Sequence, residues 1–284
     1  MKKSKVIIGG CSYTAGLPWP SRLFPNTDVL NLAQGGASNR FISDSIIHSI
    51  DLANKPDFVF ILWTGLNKLD MILPDSPAVK QLAHFNQYYG KIGNSYYMFD
   101  GGDKYNSVLV KNYKNIKDPL WPAVNNLLDF CNLPAGIVAE CYRKNILPMQ
   151  QVELNNLEQY LQTSFFLQRL YKDSKFFNDV SLSAVVQCCI FLDYHKIPYQ
   201  FSFFCDIFSD HADTPLLQGK IDKTNINFSR IPWQKYVKLT PYEYGLKNNL
   251  IAKDDFHLTV DGMNQWANEI KQHLIKGNDH GKTI

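Results

Sequence analysis

Apolar residues in this chain group into short β-branched or aromatic runs that end in glycine, and stretches with helical spacing separate them. Residues 5–10 carry Val6, Ile7 and Ile8 and close on Gly9 and Gly10, which predicts a first buried strand followed by a turn over 11–16. A second short strand is expected over 28–33, ended by Gly35 and Gly36. Ser38 or Asn39 can then cap a helix running to about residue 53, with Phe41, Ile42, Ile46, Ile47 and Ile50 on one face. Pro56 and Asp57 break it, and the continuous apolar run 58–63 reads as a third strand bounded by Gly65. Strand, helix and strand joined by short links predict a parallel sheet of α/β type.

That alternation stops between residue 69 and about 150, where Pro, Gly, Asn and Tyr are scattered without a sustained period. The segment is expected to be an irregular insertion or cap on one α/β domain spanning 1–284. Within it, 94–99 followed by Asp100-Gly101-Gly102-Asp103 suggests half of a β-hairpin, and 121–130 a short helix after Pro119. Helical spacing returns over 152–171 and 178–195, and Pro198 ends the second of these. A strand over 199–207, a loop-rich stretch and a last helix over 260–275 complete the order. No internal repeat is visible.

Composition narrows the classes. With 284 residues the chain can bury a core without a metal or disulfide staple. The net charge of +3 comes from 29 basic and 26 acidic residues that are well mixed, which gives no support for a nucleic-acid partner. The longest apolar stretches, such as 185–192, fall short of the roughly 18 residues that span a bilayer, so no membrane association is expected. The run before Cys11 is too short for a signal segment of about 7–15 apolar residues. Six cysteines form neither a CxxC pair nor a Cys/His cluster at zinc spacing, which is the pattern of a reduced, intracellular chain.

Four small motifs sit where the expected elements end. Gly10-Cys11-Ser12-Tyr13-Thr14-Ala15-Gly16 puts a serine at the carboxyl edge of a parallel sheet, where α/β proteins place ligands. It lacks the GxxxxGK[ST] pattern of a phosphate loop. Gly35-Gly36-Ala37-Ser38 offers backbone N–H groups at a helix entrance, useful to a developing oxyanion. Gly65-Leu66-Asn67 brings a carboxamide to the end of the third strand. Asp254-Asp255-Phe256-His257 precedes the last helix. Histidine suits general-base work at neutral pH, and a carboxylate three residues earlier can fold back onto its Nδ1–H. The other histidines, His48, His84, His195, His211, His273 and His280, have no such context and are expected on the surface or in structural roles.

Taken in this order, the motifs resemble the SGNH (GDSL-type) hydrolase family, which is marked by Ser, Gly, Asn and His in separate blocks at successive strand ends. Its first block usually reads Gly-Asp-Ser; here it is Gly10-Cys11-Ser12, in a form similar to a branch seen in phages and marine bacteria. The missing aspartate is not the nucleophile, so the departure bears on hydrogen bonding within the block. The resemblance covers about residues 5–67 and 198–276. It implies a three-layer, flavodoxin-like α/β fold with a central parallel sheet, and a serine esterase with Ser12 as nucleophile, His257 as base and Asp254 orienting it. The oxyanion hole would be the N–H groups of Ser12 and Gly36 (Gly35 being the alternative) with the amide of Asn67. No metal or organic cofactor is implied. Tyr88, Tyr89, Tyr96, Tyr97, Phe99 and Tyr105 lie among amides and glycines in the middle segment, which suits an O-acetylated glycan substrate, although packing of the insertion explains them too. The expected location is cytoplasmic, or the virion if the chain is phage-encoded. Two other classes compete: a virion or glycan-binding protein with weak or no catalysis, and a flavodoxin-like nucleotide-binding domain. The latter leaves Asp254 and His257 unexplained.

Overall fold

The computed structural model describes residues 3–66, 68, 70–74, 89–99, 174–209, 221–252 and 257–276. The chain divides into two compact units, Met1–Asp70 with Phe177–Ile284, and Met71–Phe176. The expected helices over 121–130 and 152–171, and the glycines at 101–102, lie outside the described residues.

The first unit is an α/β fold. Its four strands are β1 (Lys5–Gly9), β2 (Asp28–Asn31), β3 (Phe58–Trp63) and β7 (Tyr199–Phe203), in the order β2-β1-β3-β7 and all parallel. Register runs Lys5 to Asp28 on one side of β1 and Val6 to Phe58 on the other, while Val59 pairs with Tyr199. Beyond β7 the chain at 236–239 adds a partial fifth position. Tyr236 bridges Phe201 in parallel, Val237 N–H donates to the Phe201 carbonyl (2.8 Å), and Ser202 Oγ donates to the Leu239 carbonyl (3.3 Å). The crossover pattern is that of flavodoxin-like sheets.

Side-chain alternation assigns the two faces. Ile8 and Phe60 are in register and share one face. There Trp19 of α1 (Trp19–Leu23) lies edge-on to Phe60 at 6.2 Å and to Trp266 of α5 (Val260–Lys276) at 5.1 Å. Gly9 points to the opposite face, where a Cβ would fall 2.5 Å from Ile46 Cδ1; its absence lets α2 (Asn39–Ser49) press against β1. Tyr199 shares that second face and meets α3 (Ser174–Tyr194), its hydroxyl donating to Asp193 Oδ2 at 3.1 Å. Helices cover both faces, so β3 is buried along its whole length and reads as an unbroken apolar run.

Several ends differ from expectation for local reasons. The second helix stops at Ser49 instead of about residue 53, because Asp51 Oδ1 accepts the Ala53 N–H (2.9 Å) and turns the backbone away. The strand β7 stops at Phe203 rather than 207, where Asp206 takes the Phe208 N–H (3.0 Å) in the same manner. Asn31 ends β2 by accepting from Ala33 N–H at 3.1 Å. The short helices α1 and α4 (Pro241–Lys247) were not expected; five and seven residues are too few to display a helical period.

A second sheet, of order β4-β6-β5, is formed by β4 (Asp70–Pro74), whose first residue belongs to the first unit and the rest to the second, and by β5 (Tyr89–Ile92) and β6 (Ser95–Phe99) of the second unit. A hairpin joins β5 and β6 through Gly93-Asn94, with Gly93 at φ +56°, while the Asp100-Gly101-Gly102-Asp103 run lies outside the described residues. Position 93 demands a left-handed backbone, which glycine supplies.

Asn39 ties the helix α2 to the sheet. It is fully buried, its Nδ2 donates to the Thr64 carbonyl (3.3 Å), and its Oδ1 accepts the Thr64 N–H (2.9 Å). Replacing it with leucine strands two buried backbone groups, so Asn39→Leu is expected to lose about 2–4 kcal/mol of stability. The shift in urea midpoint at unchanged slope measures this. A change below about 0.5 kcal/mol would contradict the assignment.

Candidate functional site

The turn after β1 is shaped by exclusion. A Cβ on Gly10 would lie 2.4 Å from Thr14 Oγ1, so only glycine admits the tight return of the chain. The Cys11 carbonyl then accepts from both Thr14 N–H (2.8 Å) and Ala15 N–H (2.9 Å). The turn is thus closed by backbone groups. Cys11 and Tyr13 on either side are each 1% exposed, and Ser12 between them is only half-buried. Two outside bonds hold the turn: Trp19 Nε1 donates to the Tyr13 carbonyl (2.9 Å) and Asn31 Nδ2 to the Thr14 carbonyl (3.2 Å).

His257 arrives from the other end of the chain on a narrow hairpin. Thr259 N–H donates to the Leu250 carbonyl and Ala252 N–H to the His257 carbonyl, both at 2.9 Å, and Ile251 bridges Leu258 antiparallel. Leu258 is buried against α4, where a Cβ on Gly245 would fall 2.7 Å from Leu258 Cδ1. Thr259 caps α5, its Oγ1 accepting the Gly262 N–H at 3.0 Å. These anchors bring His257 Nε2 to 2.7 Å from Ser12 Oγ, across 245 positions of sequence. The Tyr13 ring lies 4.7 Å from the imidazole at an interplanar angle of 31°.

The glycine pair stands beside this couple. Past β2, Leu32 N–H donates to the Ile8 carbonyl (2.8 Å) and Gln34 N–H to the Gly10 carbonyl (3.2 Å), so the chain stays alongside β1 up to the serine turn. Ala37 N–H returns to the Gln34 carbonyl (3.2 Å), and Gly36 has φ +81°, the signature of a type II turn with glycine at its third position. Among the described residues, neither the Ser12 nor the Gly36 N–H donates to another protein group. Gly35 has open space around its missing Cβ. It is Ser38, not Asn39, that caps α2, its Oγ accepting from Arg40 N–H (3.1 Å) and Phe41 N–H (3.2 Å).

Of the residues singled out in the sequence, the structure brings together Ser12 and His257, with the Gly35-Gly36 turn laddered to the serine turn. Asp254 and Asn67 lie outside the described residues. The loop that bears Asn67 is nevertheless held on its near side, by Asn39 on Thr64 and by Ser181 Oγ donating to the Leu66 carbonyl (2.9 Å). Sequence reasoning missed Asn31, Ser181, the ring contact of Tyr13, and the second role of Asn39. Each bonds or packs across the fold, and no local pattern announces it. The buried cysteines Cys11, Cys188, Cys189 and Cys205 are unbridged; burial pushes the Cys189 thiol up to about 12, with Asp193 adding to the rise and a Tyr199 hydrogen bond opposing it. Among the described residues no group of three or more His, Cys, Asp or Glu could hold a metal ion, and no helix is long and apolar enough to cross a membrane.

No protein-family model matches the sequence, and no curated protein is similar to it. Two solved structures align over most of the chain. One, from Desulfitobacterium hafniense DCB-2, is provisionally described as a lipolytic protein of the G-D-S-L family; it is 12% identical, covers 95% of this chain and 99% of its own, and has a TM-score of 0.28. The other, provisionally described as a platelet activating factor from Streptococcus pneumonia, is 14% identical, covers 96% of this chain and 85% of its own, and has the same TM-score of 0.28. At that score neither likeness carries weight for fold or chemistry, and the fold rests on the strand order above.

Ser38 also donates to Asp70 Oδ2 at 2.5 Å, which secures the start of α2 next to the glycine turn. Burial raises the Asp70 carboxyl from 3.8 to about 6, opposed by the Ser38 bond and by Arg40, with Asp44 adding to the rise. Between those values the folded chain keeps a proton that the unfolded chain has released, so its stabilising contribution is full below about pH 4 and lost as pH rises toward 6. Asp70→Asn should remove that component. Urea midpoints of both proteins from about pH 4 to 7 should therefore diverge in favour of the variant as pH rises. Parallel curves would show that the Asp70 proton is not linked to folding.

Proposed function

We propose that this chain is a serine ester hydrolase of the SGNH type, acting on small acyl esters of the O-acetyl kind. One observation carries the reading: a half-exposed serine hydroxyl 2.7 Å from a histidine Nε2, at the carboxyl edge of a parallel sheet. In this reading Ser12 Oγ attacks the ester carbonyl carbon while His257 Nε2 takes the hydroxyl proton. The carbonyl π electrons move to oxygen, and the oxyanion is received by the N–H groups of Ser12 and Gly36 with the Asn67 amide. Collapse expels the alcohol, which leaves with the proton held by His257. Water then attacks the acyl-serine, giving its proton to Nε2, and the acid departs as Ser12 recovers its hydrogen. Asp254, three residues before His257, is assigned the Nδ1–H and the imidazolium charge. The Ser12 and Gly36 N–H groups, which engage no other group among the described residues, support the oxyanion assignment, since donors already in place need no reorganisation during reaction.

The proposed natural substrate is an O-acetylated glycan, supported by the aromatic and amide content of the segment between β3 and α3. Acetate release from an acetylated polysaccharide checks it, and activity confined to long-chain acyl esters would sink it.

Ser12→Ala and His257→Ala are expected to lower turnover of a small acetyl ester by about 10⁴-fold or more while leaving circular dichroism unchanged. Asn67→Ala should lose about 10²–10³-fold, as for one oxyanion donor. A fluorophosphonate should label the wild-type chain and not Ser12→Ala. Equal labelling of both would overturn the triad.

A further inference from the structure

Tyr13 follows the serine directly, yet a residue in that place on a turn has no local reason to be a fully buried aromatic. Its ring packs against two others: the His257 imidazole, 4.7 Å between centroids and tilted by 31°, and the ring of Phe204, just beyond β7, 5.1 Å away and tilted by 41°. Its carbonyl receives the Trp19 indole N–H, and Trp19 is wedged between Phe60 of the sheet and Trp266 of α5. A line of packing therefore runs from the sheet to the imidazole.

This line does something that the hairpin anchors cannot. Leu258 and Thr259 fix the backbone of His257, and neither acts on the two side-chain torsions that set the imidazole plane. A ring packed against it at 4.7 Å with a 31° tilt limits how far the imidazole plane can turn and helps to keep Nε2 aimed at Ser12. The stack also acts selectively during reaction. When the imidazole takes the serine proton it becomes a cation, and a cation over an aromatic face is attracted by the ring quadrupole. The interaction thus strengthens toward the transition state, which is the condition for raising kcat rather than lowering KM.

We propose that Tyr13 is a positioning residue for His257, holding the imidazole plane through its ring and stabilising the protonated imidazole. The inference rests on the hydrolase reading above. Its test compares Tyr13→Phe, which keeps the ring, with Tyr13→Leu and Tyr13→Met, which do not; the methionine variant stands in if leucine does not fold. Tyr13→Phe should stay within about threefold of wild-type kcat, while the ring-less variants should fall about 10-fold or more with KM unchanged. In proton NMR, the His257 ring protons should be shifted upfield in wild type and Tyr13→Phe and lose that shift in the ring-less variants. Ring-less variants with wild-type kcat, or Tyr13→Phe falling as far as Tyr13→Leu, would overturn the role of the ring. The two readings fail differently. Wild-type hydrolysis that does not depend on Ser12 removes both, whereas Ser12-dependent hydrolysis indifferent to the ring removes only this one.

Discussion

Strand β1 has a hydrogen-bonded parallel partner on each side, β2 and β3, and a helix pressed on at least one face so closely that position 9 has no room for a side chain. Much of the carboxyl edge depends on that placement. Because β2 is locked to β1 residue by residue, the chain leaving it is still in register when it reaches Gln34, whose N–H meets the Gly10 carbonyl. That bond sets the glycine turn beside the serine turn. Because β3 is locked on the other side, Thr64 ends next to the start of α2, where Asn39 closes on its backbone. Three loops from distant parts of the sequence are thus indexed to one strand.

The histidine is held by a different principle. It belongs to no strand of the main sheet; a hairpin, the helix α4 and the cap of α5 locate it, and α5 in turn packs on α1 through Trp19 and Trp266. Trp19 also reaches the serine turn through Tyr13. The serine turn and the histidine hairpin therefore share one aromatic anchor, and relative motion between them would have to disturb the core. In the proposed reading, preorganisation of this kind would serve the short serine–histidine contact, because little ordering would remain to be done when substrate binds.

The elements around the proposed chemistry were largely legible. The run Phe58–Trp63 matches β3 end for end, and the last helix begins at Val260 as its spacing predicts. Strong apolar periodicity and a break by glycine or proline survive any tertiary context. What misled were the ends shaped by Asp51, Asp206 and Asn31, where a polar side chain captures a neighbouring backbone N–H, and what went unannounced was the hairpin turn at Gly93-Asn94. In each case several residues could have made the turn, and only the packing of the flanking segments selects among them.

By itself, the sequence determined the order of the four main-sheet strands and of the helices α2, α3 and α5, the α/β class, and the residue types gathered at the strand ends: a serine between glycines, a glycine pair before a helix, and a histidine before the last one. These follow from periodicity and from backbone demands that act within a few residues. Only the tertiary structure decided that Ser12 and His257 meet at hydrogen-bond distance, that Asn39 serves the sheet while Ser38 caps the helix, and that Tyr13 turns its ring onto the imidazole. Those outcomes depend on contacts between residues up to 245 positions apart, and such contacts form only when the parallel ladder has brought the carboxyl ends of its strands to one edge.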